Sequence, residues 1–258
     1  MQAVEPVPQV QVLERGSLLF LYRPKASVAH AHGAADIEQL YFMLMPDDRE
    51  DHKSRVYLLS QTSLPASSED GPILATAVEV DSDPRVALDN LEEETAKAPG
   101  RAARPWAPIA GEGRYAIFKH VSSTYLAYGL DRPEQPGEVQ QALHLAKQGN
   151  LLISVKPPAA PSQPGQATQP LYPSRLKSLL QAYGEVPVEP SDFMDYQGTQ
   201  VVLKAANSAV KHQWGLRLEQ DGQNQRERQA FQLLHKEERR AAREGIALLE
   251  PMEEGLWV

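Results

Sequence analysis

Apolar and polar positions alternate most regularly between Gly113 and Lys156, and that stretch organises the reading of the chain. Tyr115, Ile117 and Lys119 alternate with Ala116, Phe118 and His120, and Tyr125, Ala127 and Gly129 alternate with Leu126, Tyr128 and Leu130. Such alternation places successive side chains on opposite faces of a sheet. Asp131 to Gly137 carries the Pro and Gly of a turn. The alternation resumes at Leu143 and Leu145, breaks at Gln148-Gly-Asn150 and returns as Leu151-Leu-Ile-Ser-Val155. At least three antiparallel strands follow from this pattern.

Upstream, Ser17 to Tyr22, Arg55 to Ser60 and Ile73 to Val80 each read as a strand. The run Leu40 to Met45 is continuously apolar, as expected of a strand covered on both faces. Asp83-Pro84 opens a helix, with Asp as its cap and Pro at its first position. Downstream, Leu176, Leu179, Leu180 and Tyr183 share one side of a helix that ends at Gly184, and Thr199 to Ala205 is a further strand. Few helices and no βα alternation predict a mainly β (α+β) fold. The expected form is an antiparallel β-sandwich or strongly bent sheet with a charged C-terminal helix.

The organisation predicted along the chain is a flexible arm at 1–12, a β-rich core at 13–158 and a mobile Pro/Gln-rich loop at 159–170. A helix plus strand at 171–222 packs on the core, and 223–258 is a charged helical tail. Ala159 to Pro170 has no aliphatic side chain larger than alanine, so it has little to bury. Asn224 to Glu244 is strongly charged, with Phe231, Leu234 and Leu233 as a narrow apolar stripe. Phe231, Leu234 and Arg239 are therefore the candidates for binding a protein partner or a second copy of the chain.

Composition narrows the classes. The 258 residues suffice for a sizeable core, and a net charge of −8 argues against nucleic acid as a partner. No apolar run approaches the roughly 18–20 residues of a membrane helix, and the N-terminus lacks a signal-peptide pattern. No membrane partner is expected, and the cytoplasm is the expected location. With no cysteine, thiolate metal sites and cysteine nucleophiles are excluded. No motif implies a cofactor.

Four sets of residues are candidates for chemistry. His30 and His32, two apart and followed by Asp36, present imidazoles at a spacing suited to one metal ion, with His52 as a further donor. His120 and His144, with Ser122, Ser123 or Thr124 and Asp131, are the raw material of a nucleophile–base–carboxylate set, although no Gly-x-Ser-x-Gly surrounds the serines. Arg114, Lys119, Tyr125 and Tyr128 are candidates for a basic, aromatic ligand-binding face. Asp47, Asp48, Glu50 and Asp51 form an acidic loop without calcium-loop spacing.

Leu21-Tyr-Arg-Pro-Lys25, Ser123 to Pro133, Gly137-Glu-Val-Gln140 and Ile153 to Pro158 together resemble a family of uncharacterised conserved proteins. Pro187 to Pro190 and Phe193 to Gly198 are also similar to its pattern. The resemblance spans roughly residues 13–206 and implies no activity, fold or site. The leading expectation is a cytoplasmic, non-enzymatic interaction or scaffold module. The alternative is a metal- or His-dependent hydrolase with its site near His30, His32, His120 and His144.

Overall fold

The computed structural model describes residues 10–28, 31–47, 52–89, 107–157, 169–187, 190–206 and 250–257. Nine strands dominate: β1 (Val10–Pro24), β2 (Ile37–Pro46), β3 (Ser54–Leu59), β4 (Ile73–Asp81), β5 (Ile109–His120), β6 (Ser123–Arg132), β7 (Gln148–Lys156), β8 (Val186–Pro187) and β9 (Gln200–Ala205). Four helices accompany them: α1 (Pro84–Asp89), α2 (Glu138–Ala142), α3 (Ser174–Tyr183) and α4 (Glu250–Glu253).

The strands pair in the order β6-β5-β1-β2-β3-β4-β9-β7, and β7 pairs back onto β6. The result is a closed antiparallel barrel of eight strands. The mainly β expectation holds, and the expected sandwich or strongly bent sheet is sharpened to a barrel, because pairing closes the ring. Strand β7 makes this possible by holding β9 along one side while its other side passes from β6 (Gly129↔Gln148 to Tyr125↔Leu152) to the short β8 (Ser154↔Pro187).

One face of each strand fills the barrel. Leu18, Phe20 and Tyr22 of β1 meet Leu40, Phe42 and Leu44 of β2, Ile117 of β5, Leu126 of β6 and Leu203 of β9. Eight strands leave an interior just wide enough for side chains to fill. The opposite faces of β1 and β2 are also covered. Leu19, Leu21, Tyr41, Met43 and Met45 pack with Ala87 and Leu88 of α1 and Met252 of α4. Burial on both faces explains the unbroken apolar run in β2, and α1 begins as expected, with Asp83 Oδ1 accepting the Arg85 N–H at 3.0 Å.

Several boundaries differ from the sequence expectation. Strand β1 already runs from Val10, which pairs with His120, so residues 10–12 are sheet rather than arm. Leu143 and Leu145 are not in a strand. They follow α2, with His144 between them at φ 56°, a left-handed conformation that lets both leucines turn inward. The end of the chain returns to the body: Met252 is buried, the Trp257 ring meets Tyr22 edge-on at 5.8 Å, and the Gly255 carbonyl accepts the Val139 N–H at 2.9 Å. The helix expected at 224–244, with Phe231, Leu234 and Arg239, lies outside the described residues, as does most of the 159–170 loop. No helix among the described residues is long and apolar enough to cross a membrane.

Candidate functional site

The barrel has two chemically different ends. At the first, where β1 begins, five polar groups meet inside the wall. Arg55 points inward from β3 and is fully buried. Its Nη1 donates to both carboxylate oxygens of Glu14, at 2.7 and 2.9 Å, and its Nε donates to Asp195 Oδ1 at 2.7 Å. The Tyr115 hydroxyl donates to Glu14 Oε1 at 2.7 Å, and His52 Nδ1 stands 3.3 Å from Glu14 Oε2. Burial opposes the Arg55 charge, but Glu14 and Asp195 more than offset it, so the guanidinium is held protonated beyond its ordinary range. Burial also pushes the Asp195 carboxyl up, against the pull of Arg55. Burial raises Tyr115 and Tyr57 too, keeping both phenols neutral.

This cluster closes the end rather than opening onto it. The Glu14 side chain is only 1% exposed and that of Arg55 is 0% exposed, so a substrate has no approach to them. Its members lock the Asp195 turn to the barrel, a role completed by Tyr172, whose hydroxyl donates to Thr199 Oγ1 while Thr199 donates to the Phe193 carbonyl.

At the second end, where β1 finishes, a cleft of about 560 Å³ lies between α2, the 64–66 loop, the start of β7 and the end of β9. Leu64, Pro65, Tyr128, Leu145, Leu151 and Ala205 form its apolar walls. Its polar lining is Gln140, Gln141, His144, Gln148 and Asn150, and among the described residues it holds no acidic side chain, lysine or arginine. Tyr128 lies flat across the wall because Gly149 opposes it. A Cβ at Gly149 would come within 2.2 Å of the ring. Burial pushes the Tyr128 hydroxyl up to about 12, so it is neutral at ordinary pH.

The polar groups of this cleft divide into engaged and unengaged. Gln140 is fully committed: its Nε2 donates to the carbonyls of Ala110 and Pro251, each at 2.7 Å, and its Oε1 accepts the Gly137 N–H at 2.9 Å. His144 Nδ1 lies 3.0 Å from the Leu64 carbonyl. A carbonyl only accepts, so Nδ1 carries a proton in this contact. Asn150 is 7% exposed, and among the described residues neither its Oδ1 nor its Nδ2 has a hydrogen-bond partner. A buried polar group left this way costs about 1–3 kcal/mol, and the register opposite Ala127 places Asn150 on the face of β7 away from Leu151.

The residues singled out from the sequence are scattered over this framework. His32 is exposed, and its backbone N–H donates to Asp36 Oδ2 at 2.8 Å; His30 lies outside the described residues. Among the described residues no three His, Asp or Glu side chains are grouped to hold a metal ion. His120 ends β5 at the first end of the barrel, paired with Ser123, whereas His144 and Asp131 stand at the second, so the nucleophile–base–carboxylate set does not assemble. Arg114 is buried and bonded to Ser17 and Asp47, at 2.9 and 2.6 Å. Tyr125 stacks on Phe118, with ring centroids 5.2 Å apart, in a small cluster separate from the barrel interior, and Lys119 is near the β5–β6 turn. Of the four basic and aromatic candidates, only Tyr128 lines the cleft. Asn150 was passed over because Gln-Gly-Asn reads as a break between strands. Its register opposite Ala127 within β7 is what marks it. No family model, curated protein or solved structure matches the chain.

Proposed function

We propose that this protein is a non-enzymatic binding module and that the cleft at the second end of the barrel receives its ligand. The observation that carries the reading is the lining of the cleft, in which apolar walls from Leu64, Pro65, Leu145, Leu151 and Ala205 are joined by a few polar side chains, Gln141, His144 and Gln148 among them. Small-molecule sites are commonly concave, mostly apolar and furnished with a few convergent polar groups, with volumes of about 300–1,000 Å³. The cleft falls within that range at about 560 Å³. Catalysis has less support: His120 and His144 stand at opposite ends, and the dense cluster of ionisable groups around Arg55 is sealed. The test is a protein-observed NMR fragment screen on the wild type and on Ala66→Trp, which fills the cleft. Expected are hits that shift the methyl resonances of Leu64, Leu145 and Ala205 and weaken in the variant. A screen whose hits map away from these methyls in both proteins would end the reading.

A further inference from the structure

On the premise that the cleft is a binding site, the opposite end of the barrel offers its occupant. We infer that the ligand is the β5–β6 hairpin tip of a second copy of this chain, so that copies join head to tail. The tip is built from two residues, Val121 and Ser122, between the paired His120 and Ser123. Of the two only Val121 has a positive φ, 56°. That is the pattern of a type II′ turn, whose first central position ordinarily takes glycine. A β-branched side chain in the left-handed region is strained, because its Cβ crowds the backbone. Burial does not offset this strain, since Val121 is 81% exposed. Glycine would serve the fold better at this position, so the valine side chain is explained by a contact outside its own chain.

Place, size and chemistry match the tip to the cleft. The tip lies at the first end of the barrel and the cleft at the second. A two-residue turn is narrow, and the cleft has about 560 Å³ to receive it. Leu64, Pro65, Leu145 and Leu151 give the valine side chain apolar walls. Gln141 and Gln148, both exposed on the lining, carry amides suited to the backbone of the turn and the Ser122 hydroxyl. A contact between unlike patches at opposite ends does not close on two copies. Each pair keeps one free tip and one free cleft, to which further copies add.

Sedimentation of the full-length protein across concentration tests this. The wild type is expected to gain mass as concentration rises. Val121→Gly, which keeps the turn and removes the side chain, should associate at least about tenfold more weakly without a loss of melting temperature. Ala66→Trp fills the cleft and should weaken association alike. Mixed together, the two variants should form a one-to-one pair and nothing larger, because one keeps an intact cleft and the other an intact tip. Should Ala66→Trp fail to fold, isotope-labelled Val121→Gly titrated with unlabelled wild type decides. The methyls of Leu64 and Leu145 should then shift, and should stay still when unlabelled Val121→Gly is added instead. A wild type that stays monomeric up to about 1 mM overturns the inference, as does equal association of Val121→Gly. Either result alongside fragments that bind the cleft leaves the cleft a site for another ligand, and either result without them ends both readings.

Discussion

Arg55 and Arg23 are both buried arginines of the same barrel wall, but their surroundings differ. Arg55 is matched by two carboxylates, while Arg23, 2% exposed, has Nε and Nη2 without hydrogen-bond partners among the described residues and lies over the Tyr41 ring at 5.6 Å. Arg55→Met removes the guanidinium bonded to Glu14 and Asp195 and should lower stability by about 3–5 kcal/mol. Arg23→Met loses a cation–π contact of about 0.5–2 kcal/mol but removes two buried nitrogens unbonded among the described residues, at about 1–3 kcal/mol each, so it should match or exceed the wild type. Denaturant titration of the two variants checks the opposite signs. Asp195 adds a pH signature. Its folded pKa is raised above 3.8, so the folded state holds this proton more tightly than the unfolded chain. The carboxyl therefore works against stability as pH rises from 3.8 through the raised value. The melting temperature of Asp195→Asn minus that of the wild type should grow across that interval, and a difference that shrinks with pH would contradict the assignment. None of this was legible residue by residue. Arg55 reads as an ordinary strand position, and its partner Asp195 is 140 residues away along the chain. Arg23 reads as a strand stop beside Pro24.

Among the elements, most strands and α3 were legible because their period-2 or one-sided apolar patterns survive in the fold. Helix α2 was hidden. It has five residues, and the spacing of Leu143 and Leu145 imitates a strand, while the left-handed His144 that separates them has no sequence signal of its own. The docking of α4 rests on a still fainter signal, a pair of glycines. A Cβ at Gly137 would stand 2.5 Å from the Gly255 carbonyl oxygen, and one at Gly255 would stand 2.7 Å from Gly137 Cα. Gly137→Val should therefore lift the 250–257 segment off the barrel, exposing Met252 and withdrawing the Pro251 carbonyl from Gln140. Overpacking of this kind costs about 1–3 kcal/mol. The expected readout is a lower melting temperature together with faster proteolytic cutting at 250–257, and an unchanged digest would show that the contact is dispensable.

For the whole molecule, local pattern supplies strands but not their closure. The pairings that convert a sheet into a barrel, β4 with β9 and β7 with β9, join Ile73 to Leu203 and Ile153 to Leu203, and no short window of sequence contains them. The candidate site shares this dependence. Leu64, His144, Asn150 and Ala205 meet only because the ring is closed and α2 lies across its end. Its apolar walls look like ordinary core residues until the cavity between them is seen, and Asn150 looks like a turn residue until its register is known.

Closure by β9 also sets a schedule for synthesis. A nascent chain can zip β1 to β4, and then add β5, β6 and β7, while still on the ribosome, but two bare sheet edges persist until residues 200–205 emerge. Unpaired edges of this sort are the surfaces on which incomplete sheets pair with the wrong chain. The six residues of β9 cover both edges at once, so the interval between the emergence of β7 and of β9 is the vulnerable period in the life of this protein.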